Sequence, residues 1–398
     1  MRQVHFLALG VVLLSGAADA QTSAKTLDMY VVDGEGGHAV LYVSPTGETL
    51  LEDTGNPGGR DTDRIMEVIN AAGVKQIDHL ILTHYHVDHV GGLEELAKRI
   101  QIKHYIDHGP TVEEREQVRD FQAKYAELYS KARHTVAKPG DKIPFGPVDV
   151  TVVTSAAQVI KTPLAGGGIP NPACAEFKPR DDSDTQPENT QSVGVVYTYG
   201  KYRSVNLGDY TFNAEEKLMC PVNPIGHVSL FLTSHHGINQ SNSVALVHGL
   251  APAVAIMHNS ARKGGALTTM QALWTSPGLQ GLWQLHWAYA AGLEYNTPGL
   301  FIANLDDPAT IGGVISGAIP PGMGGVGGGR GPRVGAGGPP GGAASPQAAA
   351  GAGAGGFGGG SGGHSGQAFY IKVSAHSDGS FTVTNTRNNF SHTYNTSK

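Results

Sequence analysis

The chain has 398 residues, 40% of them hydrophobic, with 28 Lys and Arg against 34 Asp and Glu and a formal net charge of −6. That length and apolar content allow a sizeable core and more than one domain. The negative balance excludes a broad basic field for nucleic acid, while leaving a local basic groove open.

The first residues read as a secretory leader. Arg2 is followed by the apolar stretch Phe6 to Leu14 and the small-residue sequence Ala18-Asp19-Ala20, so a signal peptide over 1–20 is expected. The apolar stretch is too short for a comfortable membrane span, and no later stretch is apolar enough for one. The expectation is a periplasmic or secreted protein with no membrane span after cleavage near Ala20. Only two cysteines occur, Cys174 and Cys220. An oxidising compartment permits a bridge between them, and the sequence leaves that open.

Residues 21–310 are expected to form the main domain. Leu27 to Val32, Ala39 to Val43 and Thr49 to Asp53 read as strands between Gly- and Pro-containing turns. Residues 61–72 have helical spacing, with Ile65, Val68 and Ile69 on one face. The pattern continues as strand 79–83, helix 90–100, strand 103–107 and a polar helix over 111–132. Strands return in 148–160, and 161–191 is a long loop rich in Pro, Gly and Asp. A hairpin is expected from Ser192 to Leu207, then strands at Val228 to Thr233 and Ala253 to Met257. Trp283, His286, Trp287 and Tyr289 form an aromatic group at partly helical spacing, read as core packing. This mixture suggests two sheets between helices. Residues 311–366 are rich in Gly, Ala and Pro and too poor in large apolar residues to offset ordering entropy, so a disordered insertion is expected. In 367–398, Ala368 to Ser374 and Ser380 to Thr386 flank Ser377-Asp378-Gly379 as a hairpin. A lone hairpin is marginal in water, so it should pack on the main domain.

The chemistry concentrates at His84-Tyr85-His86-Val87-Asp88-His89, which follows the apolar run Leu80-Ile81-Leu82-Thr83. A buried strand ending there would deliver His84 and His86 on one side, because side-chain direction alternates. Asp88 and His89 follow the turn and can aim at a second point nearby. Imidazole and carboxylate together suit Zn²⁺, with Mn²⁺ or Fe as alternatives. A helix starting at Val90 would turn its positive end toward an anionic ligand. Further donors stand at other strand ends: His108, Asp209, His235 and His236. The Asp209 carboxylate can bridge two ions, and Asp53 can orient a ligand histidine through its second nitrogen. His258, Asn259, Arg262 and Lys263 follow another strand, and with His286 they are the candidate substrate-binding residues. Arg262 and Lys263 either grip a phosphate or form a solvated basic turn.

The string Thr83-His84-Tyr85-His86-Val87-Asp88-His89-Val90-Gly91-Gly92 resembles the signature of the metallo-β-lactamase-fold hydrolases. With Asp33-Gly34-Glu35-Gly36-Gly37-His38-Ala39, Leu51-Glu52-Asp53-Thr54-Gly55, and Ser234-His235-His236-Gly237 followed by Ser241-Asn242-Ser243, it is similar to the hydrolase domain of the competence protein ComEC, over residues 26–260. The resemblance implies an αββα sandwich with a two-metal site. It places His84 and His86 on the first metal and Asp88 and His89 on the second, with Asp209 bridging. His236 completes the second metal's ligands and His235 contacts substrate. The family's third histidine on the first metal is not always present in this branch, and His108 is the candidate here. Two departures stand out. Gly34-Glu35-Gly36-Gly37 replaces the usual acidic residue after the second glycine, and the membrane-channel helices of ComEC are lacking, so DNA uptake is not implied.

Two zinc ions held this way share a water whose pKa falls enough to give hydroxide near neutral pH, with Asp88 as a further proton acceptor. The leading expectation is an exported phosphodiesterase acting on nucleotides, nucleic acid or a phosphorylated envelope polymer, nucleic acid being disfavoured by the net charge. The alternatives are a β-lactamase- or lactonase-like hydrolase of C–N or C–O bonds, and a non-catalytic, envelope-associated binding module.

Overall fold

A computed structural model describes residues 25–305 and 367–396; the expected signal peptide and the Gly-rich segment 311–366 lie outside them. The sequence Leu27-Asp28-Met29-Tyr30-Val31 shows how the layers arise. Period-2 alternation sends Leu27, Met29 and Val31 into a central core and Tyr30 to the opposite face. The central core joins Met29, Tyr42, Leu50 and Ile81 to Val152, Val195, Leu230, Ile256 and Trp283, which belong to two different sheets.

The first sheet has nine strands in the order Phe390–Asn395, Ser380–Asn385, Ile371–Ala375, Leu27–Val31, Val40–Val43, Thr49–Glu52, His79–Ile81, His104–Asp107 and Arg133–Val136. The second runs Gly281–Gln284, Val254–Met257, Leu230–Leu232, Tyr202–Asn206, Gly194–Tyr199, Asp149–Ser155 and Lys142–Ile143, with Gln158–Val159 paired to Asp149–Ser155. Helices Arg60–Ala71, Leu93–Arg99 and Glu116–Tyr129 cover the outer face of the first sheet through Ile65, Val68, Leu96 and Tyr125. Phe212–Met219, Val244–Leu250 and Leu267–Trp274 cover the second through Leu218, Leu246 and Met270. The fold is therefore an αββα sandwich.

Several elements differ from the sequence expectation. The helix expected at 90–100 is two helices, Val87–Val90 and Leu93–Arg99, so helical structure begins before Val90 and includes Asp88 and His89. The break falls at Gly91-Gly92, where the chain passes close to the loop after Thr49–Glu52. A Cβ on Gly92 would lie 2.2 Å from the Thr54 carbonyl oxygen. The polar helix over 111–132 is confined to Glu116–Tyr129. Trp283 stands in a strand, not a helix; its indole N–H donates to Tyr394 Oη at 3.0 Å inside the core.

The hairpin expected near the C-terminus is present and has a third strand, Phe390–Asn395, whose polar sequence hides it. These strands extend the first sheet, because Ile371–Ala375 pairs antiparallel with Leu27–Val31. A disulfide joins Cys174 to Cys220, tying the 161–191 loop to the end of Phe212–Met219.

Phe381 of the C-terminal strands is fully buried against Tyr202 and Tyr394. Phe381→Ala is expected to lower stability by about 3–5 kcal/mol in urea unfolding. A loss below about 1 kcal/mol would mean that these strands only decorate the sandwich.

Candidate metal centre

Thr49–Glu52, His79–Ile81 and His104–Asp107 run parallel in the first sheet, as do Tyr202–Asn206, Leu230–Leu232 and Val254–Met257 in the second. Parallel strands end on one edge, and in open α/β sheets ligands bind outside those carboxyl ends. Asp53, the His84 to His89 string, His108, Asp209, His235, His236 and His258 all follow such strands directly.

The donors converge in a definite way. His84 Nε2 lies 3.0 Å from His86 Nδ1. His89 Nε2 is 3.2 Å from Asp209 Oδ1, and His236 Nε2 is 3.1 Å from Asp88 Oδ2. Asp209 Oδ2 stands between the two halves, 3.8 Å from His84 Nε2, 3.6 Å from His236 Nε2 and 3.3 Å from His235 Nε2. Asp88, His89, Asp209 and His236 form a group compact enough to hold one ion.

Each of the five imidazoles also has its other ring nitrogen beside a protein acceptor. His84 Nδ1–H points at Thr83 Oγ1 (3.1 Å), His86 Nε2–H at Glu113 Oε1 (3.2 Å) and His89 Nδ1–H at Asp53 Oδ2 (2.7 Å). His236 Nδ1–H points at the His258 carbonyl and His235 Nδ1–H at Ser241 Oγ, both at 3.4 Å. These partners select the tautomer that leaves the inward nitrogen as a lone pair, which is how metal-binding histidines are held.

The turn carrying His235 and His236 is bent to the same end. Both residues have left-handed backbone angles, with φ of 51° and 55°, a region that costs non-glycine residues energy and recurs at functional sites. Asn242 braces the turn: its Oδ1 accepts from Ser234 N and its Nδ2 donates to Ser234 O, both at 2.9 Å. Glu215 in turn accepts the Asn242 and Ser243 N–H groups at 2.6 Å.

The electrostatics call for cations. Burial would raise Asp209 and Asp88, but the surrounding histidines, with Lys263 at Asp88, outweigh it and hold both well below the usual carboxylate range. Burial would lower His89, yet Asp209, Asp53 and Asp88 raise it well above the ordinary value. Burial takes His235 down to about 3 and His84 well below its normal value, so both are neutral donors. His89 Nε2 and Asp209 Oδ1 are buried and make no hydrogen bond, although they face each other. Orphaned buried donor atoms in a ring of carboxylates fit a divalent ion, and a set without thiolate fits Zn²⁺, Mn²⁺ or Fe.

The other predicted residues are placed as follows. Asp53 lies behind His89 and also binds His38 Nδ1 at 3.0 Å. His108 is not among the converging donors: its Nε2 is 2.8 Å from buried Glu188, which also accepts from Thr111 and Val112. His258 is buried with its ring edge-on to His38 and His236. Asn259 donates to the Ser260 and His286 carbonyls, and His286 Nε2 binds Asp33 at 2.7 Å; neither faces the cluster. Of the expected substrate-binding set, Lys263 does reach the site, where its ammonium contacts Asp88 Oδ2 and donates to the Gly36 carbonyl at 2.7 Å.

Sequence reading missed His38, which accepts from Asn206 Nδ2 at 3.1 Å, together with Asn206, Ser241, Glu113 and Glu188. A histidine directly after the Gly36-Gly37 turn was a usable signal for His38. Ser241 stands in the string Ser241-Asn242-Ser243, while Asn206, Glu113 and Glu188 stand in no spacing pattern.

Residues 32–248 match the metallo-beta-lactamase superfamily. The chain is 44% identical to the UPF0173 metal-dependent hydrolase of Geobacillus thermodenitrificans (strain NG80-2) over 63 residues, 16% of this chain and 25% of that protein. It is 24% identical to the competence protein ComA of Neisseria gonorrhoeae over 251 residues, 62% of this chain and 29% of that one. The chain thus spans under a third of the length of both relatives. Among solved structures it is similar to the metallo-beta-lactamase fold protein YhfI from Bacillus subtilis, with a TM-score of 0.39, 14% identity and coverage of 64% of this chain and 96% of that one. It is also similar to a diphosphatase from the PhnP family, with a TM-score of 0.32, 16% identity and coverage of 61% and 80%.

Removing Asp53 leaves the His89 Nδ1–H without its acceptor. Asp53→Ala is expected to weaken Zn²⁺ or Mn²⁺ binding about 10- to 100-fold in equilibrium titration, with an unchanged far-UV spectrum. Wild-type affinity in that variant would show that His89 is oriented by other contacts.

Proposed function

The chain belongs to the metallo-beta-lactamase superfamily, and from that premise we propose that it is an exported, two-metal hydrolase whose leading reaction is phosphodiester cleavage. The observation that carries this reading is the convergence of five tautomer-selected imidazoles on Asp88 and Asp209, with the Lys263 ammonium at its edge. Two divalent ions bound there would activate a water for attack and neutralise charge that builds on the reacting group.

In this reading His84 Nε2 and His86 Nδ1 face the first position, and Asp88, His89 and His236 the second, with Asp209 shared. His235 takes the place expected for His108, because His108 is committed to Glu188 while His235 Nε2 stands 3.3 Å from the shared Asp209 oxygen. Asp88 is held as an anion by Lys263, His89 and His236, which suits a ligand better than a proton acceptor. Lys263 is placed to hold an anionic oxygen of the substrate, a charge present on every phosphodiester. The Cys174–Cys220 bridge and the leader-like first residues support export. The net charge of −6 makes small nucleotides or an envelope polymer better candidates than nucleic acid.

The test is hydrolysis of bis-p-nitrophenyl phosphate by metal-quantified protein, with nitrocefin alongside. Cleavage of the diester that is lost with a chelator and restored by Zn²⁺ or Mn²⁺ is expected. Cleavage of nitrocefin alone would move the protein to the lactam and lactone hydrolases, and a metal-free, inactive protein would favour the binding module. Asp209→Ala is expected to abolish turnover with the fold retained by circular dichroism. Unchanged activity in that variant would sink the two-metal assignment.

A further inference from the structure

The two halves of the cluster are supported alike, although only one support stands in a sequence motif. On one side the Asp53 carboxylate takes the outward N–H of His89 at 2.7 Å. On the other, His86 turns Nδ1 toward His84 Nε2 at 3.0 Å and its outward nitrogen, Nε2, to Glu113 Oε1 at 3.2 Å. The Glu113 side chain is only 8% exposed, although it lies on a connecting segment at the surface. Its second oxygen accepts from Arg115 Nε at 2.7 Å.

That segment is itself pinned. Thr111 Oγ1 and the Val112 N–H donate to buried Glu188 at 2.8 and 3.1 Å, and the Glu113 N–H donates to Thr111 Oγ1 at 3.1 Å. Glu188 therefore fixes the backbone that aims Glu113 at His86. We infer that Glu113 is the positioning residue of the first metal position. It takes the Nε2 proton of His86 and so presents Nδ1 as a lone pair. A carboxylate also makes the imidazole more basic and a stronger donor. An incidental surface ion pair with Arg115 would use neither oxygen on a histidine.

The inference rests on the two-metal reading, and its test uses metal alone, with no substrate. Chelator-stripped full-length wild type, Glu113→Ala and Glu113→Gln are titrated with Co²⁺, following stoichiometry, affinity and the visible absorption of each equivalent. For Glu113→Ala the expected result is a 10- to 100-fold loss of affinity for one equivalent, a changed spectrum for that equivalent only, and an unchanged second one. Glu113→Gln keeps an acceptor without the charge, so a smaller loss at the same equivalent is expected; it decides the matter if the alanine variant does not fold. Wild-type affinity and spectrum overturn the inference, and so does an equal loss of both equivalents. If wild type binds fewer than two ions, the two-metal reading fails and the inference falls with it.

Discussion

The site depends on one buried carboxylate that touches no proposed metal position. Asp53 is fully buried and accepts from Thr83 N, Thr83 Oγ1 and His89 Nδ1 at 2.8, 2.7 and 2.7 Å, with His38 Nδ1 3.0 Å away. An isolated carboxylate in such a place would be costly, and only a full set of donors makes it tolerable. The donors lie in the segment 83–89, and the contact with His38 adds a second segment, so that both are held at the end of Thr49–Glu52. The tautomer of His89 follows from the same lock. Thr83 Oγ1, having donated to Asp53, is free to accept from His84.

The opposite wall shows the complementary device, backbone strain held by side chains. His235 and His236 occupy left-handed angles that the chain would relax if released. Asn242 closes the turn from one side, and Glu215 holds Asn242 and Ser243 from the other. Burial raises Glu215 to about 7, against the pull of the Ser243 and Asn242 N–H groups, which favour its charged form. Two histidines thus reach Asp209 from consecutive positions, which neither a regular helix nor a strand permits.

Charge balance then follows from proximity. Asp209, Asp53 and Asp88 surround His89 and outweigh burial, favouring positive charge at its position, while burial lowers His84 and His235. Lys263 meets the same excess of negative charge from the open side, through Asp88. A buried cluster with this excess of carboxylate is matched to a bound cation, and the donors stand close enough together to hold one.

Much of this was legible in the chain itself. The strand and helix periods follow from local alternation, so the layers could be read, and His84 to His89, Asp209 and the His235-His236 pair stand out because each follows an apolar run. The paired roles were harder. Whether His108 or His235 faces Asp209 depends on Glu188, which lies 80 residues from His108 in the chain and beside it in space. Glu113 carries no pattern at all, and the roles of His38 and Ser241, though both stand in recognisable strings, show only after folding, because a supporting group needs only to be within hydrogen-bond reach. The donor types and the strands that carry them could be read from local pattern, since both are local properties. Which nitrogen of each histidine faces inward emerges only on folding. That choice is made by a partner on another segment, and long-range packing alone brings the two together.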